Sequence, residues 1–581
     1  MLRRVLVVVG VCAALVAVAF AILLVMQPQR PAARVGHPQI TVRDGVKLAV
    51  DVILPDPMPT QRVPVILFQT RYWRSLALRV PEPIGEPPIG PRDDSVDRLV
   101  RAGYGVVVAD VRGTGASEGV WPRPWSDDEV ADARELVDWI AAQPFCDGRV
   151  GTAGLSYEGT TALLSATSVN PALKAVLARE IEWDLVDELV APGGVRNVSF
   201  VGAWGEAVSA LDRNETPAFF PMTARLLAHG VHPFDRDATR AELHRIVAAR
   251  RIADVARDVA HVRSGADAFA GVAAARVGPS GHTAQLAATG ARVGLWGGWW
   301  DGATADAVLR ADRAMPLVEA VIGPWTHEGD ASASPFGEHA GSAVNLDGVV
   351  EFFDRRLRTD ASRAAMRRWW VAGAEEWREG STWPSIESTT LSLVAGGGLA
   401  LQAGPLDAGF DVDFAASTGR DNRWMTGLLR PVRTDDRAKA RGIASFIGQP
   451  ITAPLSVFGA STLRCNVALD GDDAALFVYL EAVDRAGTVR LLTEGVARIG
   501  NGPAEVRLRP IAFELPPGAS VRVSLAGADA DTFERVPSAG PRHMQFSAPC
   551  SIELPVVKPR VSTADNGLSA DRADANRARQ I

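Results

Sequence analysis

Cysteine is scarce in this sequence. Four cysteines in 581 residues are too few for a disulfide framework, and none stands in a CxxC or CxxH pair of the kind that builds zinc or redox centres. Tyrosine is equally rare, with four residues, and lysine is thin beside arginine and alanine, the residue usage of a GC-rich bacterial genome. A strong excess of one charge is missing too. The formal net charge is −7, with acids and bases interspersed, so a basic nucleic-acid-binding surface is excluded. No internal repeat is evident. What remains is 47% hydrophobic and 22% charged, the balance of a folded globular chain. The length calls for two to four domains.

The amino terminus carries an apolar run from Val5 to Met26, preceded by Arg3 and Arg4 and closed by Pro28 and Pro31. About 20 apolar residues cross the roughly 30 Å hydrocarbon core of a bilayer as a helix. A cleavable signal usually has an apolar core of about 7–15 residues, and the small-x-small triplet Ala19-Phe20-Ala21 lies inside the run. Residues 1–26 therefore read as an uncleaved transmembrane anchor, with Arg3 and Arg4 on the cytoplasmic side and the rest of the chain outside. A lipoprotein reading through Cys12 is disfavoured by the bulky Val11 before it. Cys465 and Cys550 both fall in the last third; an oxidising compartment would let them pair, and two buried free thiols explain them equally well.

After a Pro-rich linker (27–38), residues 39–387 alternate strand and helix signals. Val63–Phe68 and Gly105–Ala109 are short, continuously apolar runs, suited to strands buried on both faces of a mostly parallel sheet. Asp97–Ala102 reads as the end of a crossover helix stopped by Gly103. Asp127 to Ile140 reads as a helix with three acidic residues at its amino end. Arg149–Ser156 reads as a strand running into a tight turn. From about 180 to 288 Ala, Arg, Leu and Val recur at helical spacing, the signature of an inserted helical cap. Strand signals return at Ala291–Trp296 and Pro316–Ile322. Residues 388–560 show short alternating runs such as Ala474–Val483 and Ala519–Leu525 between turn residues, which predicts an all-β sandwich. The polar tail 561–581 reads as disordered.

The local chemical signal is Gly154-Leu-Ser156-Tyr157-Glu158-Gly159. A nucleophile elbow needs small residues around its serine, because strand and helix meet there at a strained turn. Here the second glycine stands three residues after the serine, not two, so the generic G-x-S-x-G form is not matched at Glu158. A serine nucleophile also needs a base and an orienting acid, which in such a sheet follow in the order Ser, Asp, His. Two segments supply them, each after a predicted strand: Gly297-Gly-Trp-Trp-Asp301-Gly302 and Gly323-Pro-Trp-Thr-His327. Of nine histidines, only His327 follows an apolar strand and a suitable acid; His339 and His543 have no strand immediately before them. A helix-cap role is the alternative for Asp301. The Gly113-Thr-Gly115 loop is not a dinucleotide fingerprint, since no helix opens on a third glycine at the required spacing. No cofactor is expected.

With these landmarks in place, the chain resembles the CocE/NonD hydrolases of the peptidase S15 (X-Pro dipeptidyl-peptidase) superfamily, which includes cocaine esterase and α-amino acid ester hydrolases. The resemblance is carried by Arg43-Asp-Gly-Val46, Thr70-Arg-Tyr72, Asp110-Val-Arg-Gly-Thr-Gly-Ala-Ser-Glu-Gly119, Gly148–Gly159, Asn170-Pro-Ala-Leu-Lys174, Trp300-Asp-Gly302 and Gly323–His327. They occur in the family's order across residues 39–555. The resemblance implies an α/β-hydrolase fold with an inserted helical cap and a carboxy-terminal jelly roll. It also implies Ser156 as nucleophile, His327 as base and Asp301 as orienter, with an oxyanion hole from the Tyr157 backbone N–H and the Tyr72 hydroxyl. One departure stands out: the family often has proline before that tyrosine, and Arg71 stands here.

The expected reaction is cleavage of an ester or amide acyl bond through an acyl-enzyme. The partners are a small-molecule acyl substrate and, through the amino-terminal helix, the membrane; self-association into a homo-oligomer is left open. Glu158, with Asp184, Asp187 and Glu188 at the cap entrance, would suit a substrate ammonium; a hydrated helix face explains the last three equally well. The Asp-rich loop Asp470–Asp473 reads as acidic turn residues, so no metal site is expected. The competing readings are an X-Pro dipeptidyl-peptidase and a non-catalytic surface protein whose jelly roll binds carbohydrate.

Overall fold

The computed structural model describes residues 33–558 apart from 80–94, 219–221, 328, 330–331, 338–340, 345, 360–364, 429 and 438–441. The apolar run Val5–Met26 and the tail 561–581 lie outside the described residues, and among the described residues no helix is long and apolar enough to cross a membrane.

An eleven-stranded sheet organises the first two thirds of the chain. Its strands are β1 (Ala33–Gly36), β2 (Gln39–Thr41), β3 (Lys47–Pro55), β4 (Val63–Thr70), β5 (Gly105–Asp110), β6 (Cys146–Leu155), β7 (Leu173–Arg179), β8 (Arg292–Gly298), β9 (Glu319–Gly323), β10 (Met366–Val371) and β11 (Glu376–Gly380). They lie in the order β1-β3-β5-β4-β6-β7-β8-β9-β10-β11, with β2 against β3. From β5 to β10 every pairing is parallel. All residues of β4 and β5 are buried, as their unbroken apolar runs require when both faces of a parallel sheet are covered. Helix α1 (Asp127–Ala141) begins where Ser126 Oγ accepts the Glu129 N–H, and its acidic first turn favours that end of the dipole. Helix α2 (Tyr157–Leu164) follows β6 directly.

The insertion between β7 and β8 is less regular than the helical spacing predicts. It contains one fifteen-residue helix, α3 (Val198–Asp212), several shorter turns of helix, and a strand, Ala228–Val231, that pairs with Leu76–Leu78. Alanine and leucine spacing marks helical preference, but Gly193, Gly194, Gly230 and Gly278 all take positive φ and break the runs.

The carboxy-terminal third forms a second, twelve-stranded sheet system. Its strand His543–Val557 pairs with Ile386–Val394, Asp407–Asp411 and Thr462–Leu469. Cys465 and Cys550 face each other across the last of these pairings and are joined as a disulfide, with Cα atoms 4.0 Å apart. In the loop Asp470–Asp473, Asp470 pairs with Arg542 and Asp473 with Arg498.

Candidate active site

The parallel strands end along one edge, and the expected chemistry collects there. Tyr72 follows β4, Ser156 follows β6, Asp301 follows β8 and His327 follows β9. The carboxyl ends of parallel strands leave a crevice where loop-borne groups converge.

Ser156 occupies the turn between β6 and α2 with φ 62° and ψ −127°, a conformation that a non-glycine residue adopts only under constraint. Its N–H donates to Arg179 O at 2.9 Å, and its carbonyl accepts from the Thr160 N–H at 2.9 Å. The two glycines are explained by close approaches. A Cβ on Gly154 would lie 2.3 Å from the Glu158 backbone, and one on Gly159 would lie 2.5 Å from Arg179 O. The second tight approach therefore falls three residues after the serine, where α2 crosses the end of β7, which accounts for the departure from G-x-S-x-G. Tyr157 is the first residue of α2, so its N–H has no acceptor within the helix.

His327 Nδ1 lies 3.1 and 3.0 Å from the two carboxylate oxygens of Asp301. Asp301 is buried and is not a helix cap: the helix Thr304–Ala314 starts from Ala303 without a side-chain cap. Its Oδ1 accepts instead from the Thr426 hydroxyl at 2.6 Å. The Gly302 N–H donates to Arg423 O at 2.9 Å, and the Arg423 guanidinium donates to Trp299 O. The acid loop is thus held by residues 423–426, far away in sequence. Glu180, the first residue after β7, places Oε2 3.4 Å from His327 Nδ1. Burial depresses the imidazole pKa, but the charge and hydrogen bond of Asp301, joined by Glu180 and Glu182, outweigh it and raise His327 above its ordinary value. Glu182 is pushed up to about 7 by burial and by Asp301, against His327 and a hydrogen bond from Thr160.

Ser156 opens into a pocket lined by Tyr72, Trp125, Tyr157, Glu182, Leu185, Leu189, Phe200, Val201 and Trp204, with Val255, Val259 and Phe269 behind them. The Tyr72 oxygen accepts from the Trp204 indole at 2.8 Å, and a phenol can accept and donate at once. Arg71 does not displace this tyrosine. Its side chain is fully buried, pairs with Asp212 at 2.9 Å and sits 4.3 Å from the Trp121 ring centroid. The loop is further pinned by Asp110, which accepts the Arg74 N–H at 2.7 Å and its guanidinium at 3.0 Å. Asp110 in turn leaves no room for a side chain at Gly115, whose Cβ would fall 2.1 Å from the carboxyl carbon. The Asp110–Gly119 motif is therefore scaffolding for Tyr72.

The acidic residues expected at the cap entrance do not line this pocket. Asp187 pairs with Arg310 and Arg509, Glu188 faces Arg310 and accepts the Trp183 N–H, and Asp184 accepts the Val186 and Asp187 N–H groups. Glu158 is buried in α2. Arginines from a helix of the first sheet and from the second sheet system claim Asp187, a contact that spacing along the chain cannot reveal. Glu180, Glu182, Trp204 and Thr426 were not anticipated. For the first, a signal existed: an acid at the end of an apolar strand. His339 lies outside the described residues, and His543 is bonded to Asp411 in the second sheet system.

Residues 44–329 match the X-Pro dipeptidyl-peptidase (S15 family), and residues 360–577 match the X-Pro dipeptidyl-peptidase C-terminal non-catalytic domain. A Mycobacterium bovis protein provisionally named a serine esterase is 30% identical over 595 residues, covering 90% of this chain and 95% of that protein. The cocaine esterase of a Rhodococcus species is 30% identical over 512 residues, covering 79% and 82%. An aminopeptidase from a marine-sediment thaumarchaeote shares the fold, with TM-score 0.70 at 19% identity over 92% of this chain and 98% of that one.

Proposed function

Because this chain belongs to the S15 (X-Pro dipeptidyl-peptidase) family, and is a serine hydrolase, we propose that it hydrolyses esters of apolar carboxylic acids through an acyl-enzyme on Ser156. The observation that carries this reading is the strained serine turn opening into an apolar, aromatic pocket, with a histidine–aspartate pair after the adjacent strands β8 and β9. His327 takes the Ser156 proton as the hydroxyl attacks the acyl carbon, while Asp301 fixes the tautomer and stabilises the imidazolium. The developing oxyanion accepts from the Tyr157 N–H and the Tyr72 hydroxyl. His327 returns its proton to the leaving alcohol, and water repeats the sequence to release the acid. Among the described residues lining the pocket Glu182 alone is acidic, and it stands amid apolar and aromatic side chains. That favours uncharged acyl groups over the free amino terminus that an X-Pro dipeptidyl-peptidase must hold. Turnover of p-nitrophenyl esters, with a fluorophosphonate adduct mapped to Ser156, tests the reading; exclusive cleavage of Gly-Pro anilide would replace it by the peptidase.

Tyr72→Phe isolates the oxyanion donor. Loss of one such donor is expected to lower kcat by on the order of 10²–10³ with little change in KM. An unchanged kcat would remove Tyr72 from the reaction.

We also infer that Val5–Met26 anchors the protein with its catalytic part outside the cytoplasm. The length of the run, the flanking Arg3 and Arg4 and the Cys465–Cys550 bond, which suits an oxidising compartment, support this. Protease added to spheroplasts is expected to release the catalytic part from the membrane fraction. Mature protein beginning near Ile22 in the secreted fraction would instead mark the run as a cleaved signal.

A further inference from the structure

Glu180 has several features that a structural glutamate does not need. It is the first residue after β7, the strand lying between the serine strand β6 and the acid strand β8. Its backbone is left-handed, with φ 52°, a region that disfavours a side chain and for which glutamate has no preference. Its N–H is bonded to Trp296 O at 2.7 Å, which fixes the turn. Its side chain is almost wholly buried and lies beside Asp301, a second buried acid, with the donor atoms of Glu180, Asp301 and His327 all within 4.8 Å of one another. Two carboxylates so close repel each other and lose hydration. A cation between them offsets both costs, and the group that lies there is His327, 3.0 Å from Asp301 Oδ2 and 3.4 Å from Glu180 Oε2 through the same Nδ1 atom.

We infer that Glu180 is a second carboxylate for His327, a positioning residue that shares the imidazolium charge with Asp301 and accepts the Nδ1 proton when Asp301 is replaced. The inference rests on the triad reading above. In the intact enzyme Asp301 holds the shorter contact and the hydrogen bond, so Glu180 acts through the field it adds as His327 becomes charged. In an Asp301→Asn protein, the introduced amide can present its N–H to Nδ1 and favour the wrong tautomer. Glu180 is then the remaining anion at that nitrogen and draws the proton back to it. Among the described residues, Asp301, Glu180 and Glu182 are the acidic groups that face the imidazole.

The test compares wild type, Glu180→Gln, Asp301→Asn and the double variant on one p-nitrophenyl ester, each as a full pH profile of kcat/KM. Glu180→Gln alone is expected to lower kcat/KM by about tenfold at its plateau, within the coupling range of charged groups in contact, and to move the acid limb to lower pH. In the Asp301→Asn background the same change is expected to cost more than it does in wild type. A purely structural Glu180 would alter thermal stability, leave the limb unmoved and cost the same in both backgrounds; that outcome overturns the proposal. Should Glu180→Gln fail to fold, Glu180→Gly accepts the positive φ and gives the same readouts. The three donors are also close enough together to hold a metal ion. Dialysis against EDTA is expected to leave kcat/KM unchanged, and a loss restored by a divalent cation would overturn the proposal. Failure of the triad itself reads differently: full turnover in Ser156→Ala or His327→Ala removes the premise, whereas an inert Glu180→Gln beside an inactive Ser156→Ala removes only Glu180.

Discussion

Ser156→Ala is expected to lower kcat by roughly 10⁴–10⁶ while leaving the protein folded, the scale seen when a serine nucleophile is deleted from an otherwise intact site. The loss is specific because Ser156 bears the one aliphatic hydroxyl among the described residues lining the pocket. Tyr157 is buried, with its hydroxyl donating to Glu129 at 2.6 Å. Stability should scarcely move, because alanine and serine bear the same strain at φ 62°. Ser156→Gly, equally inactive, should melt above Ser156→Ala, since glycine alone takes that φ freely. Steady-state ester hydrolysis, fluorophosphonate labelling and thermal melts measure all three quantities. Retention of wild-type turnover by Ser156→Ala would sink the assignment.

The sheet and the order of its site residues were legible because both leave local traces. Val63–Phe68 and Gly105–Ala109 are short, unbroken apolar runs of the kind that suits doubly covered strands, and the strands before Ser156, Asp301 and His327 carry glycine at or beside their ends. Gly154 and Gly159 are readable for the same reason, as backbone approaches of 2.3 and 2.5 Å admit no other residue. The pocket was not legible. Asp184, Asp187 and Glu188 have the composition of an ammonium site, but Arg310 and Arg509 claim two of them, and Arg509 arrives from 322 residues beyond Asp187. Thr426 on Asp301 is the same kind of contact, made by a residue with no local pattern to mark it. The cap's irregularity was hidden because propensity in an Ala-rich segment says helix even where positive-φ glycines break it.

The second sheet system is more than an appendage, because it reaches the acid loop. Arg423 and Thr426 hold Gly302, Trp299 and Asp301, and the junction is fastened nearby by buried charge. Burial would raise the Asp306 carboxyl, but Arg507, Arg509 and Arg310 outweigh it and keep it below the usual carboxylate range. Removing one partner of such a cluster strands a buried charge, which is costly. The orientation of Asp301 is therefore tied to the docking of the second sheet system, and an enzyme truncated after β11 would lose the groups that hold its acid.

Replacing His327 by alanine is expected to abolish turnover to the same level as Ser156→Ala, and the double variant should be no worse, because the two act as one unit. The pH profile carries the finer evidence. Only a neutral imidazole can take the Ser156 proton, so kcat/KM must rise with pH as His327 loses its proton. The ordinary histidine value is about 6.5, and here burial, which lowers it, is outweighed by Asp301, Glu180 and Glu182, which raise it. The midpoint of the acid limb should accordingly lie above the ordinary value, and activity should still be climbing in the mildly alkaline range. Asp301→Asn removes the largest raising contribution, so it should move the limb downward while lowering the plateau by up to about 10⁴ through the wrong tautomer. Measurements from roughly pH 5 to 9, covering the ordinary histidine value and the rise above it, decide the matter on a substrate whose chemistry is shown to be rate-limiting. A flat profile would exclude His327 as the base, and loss of activity in His339→Ala but not in His327→Ala would move the role to the other histidine.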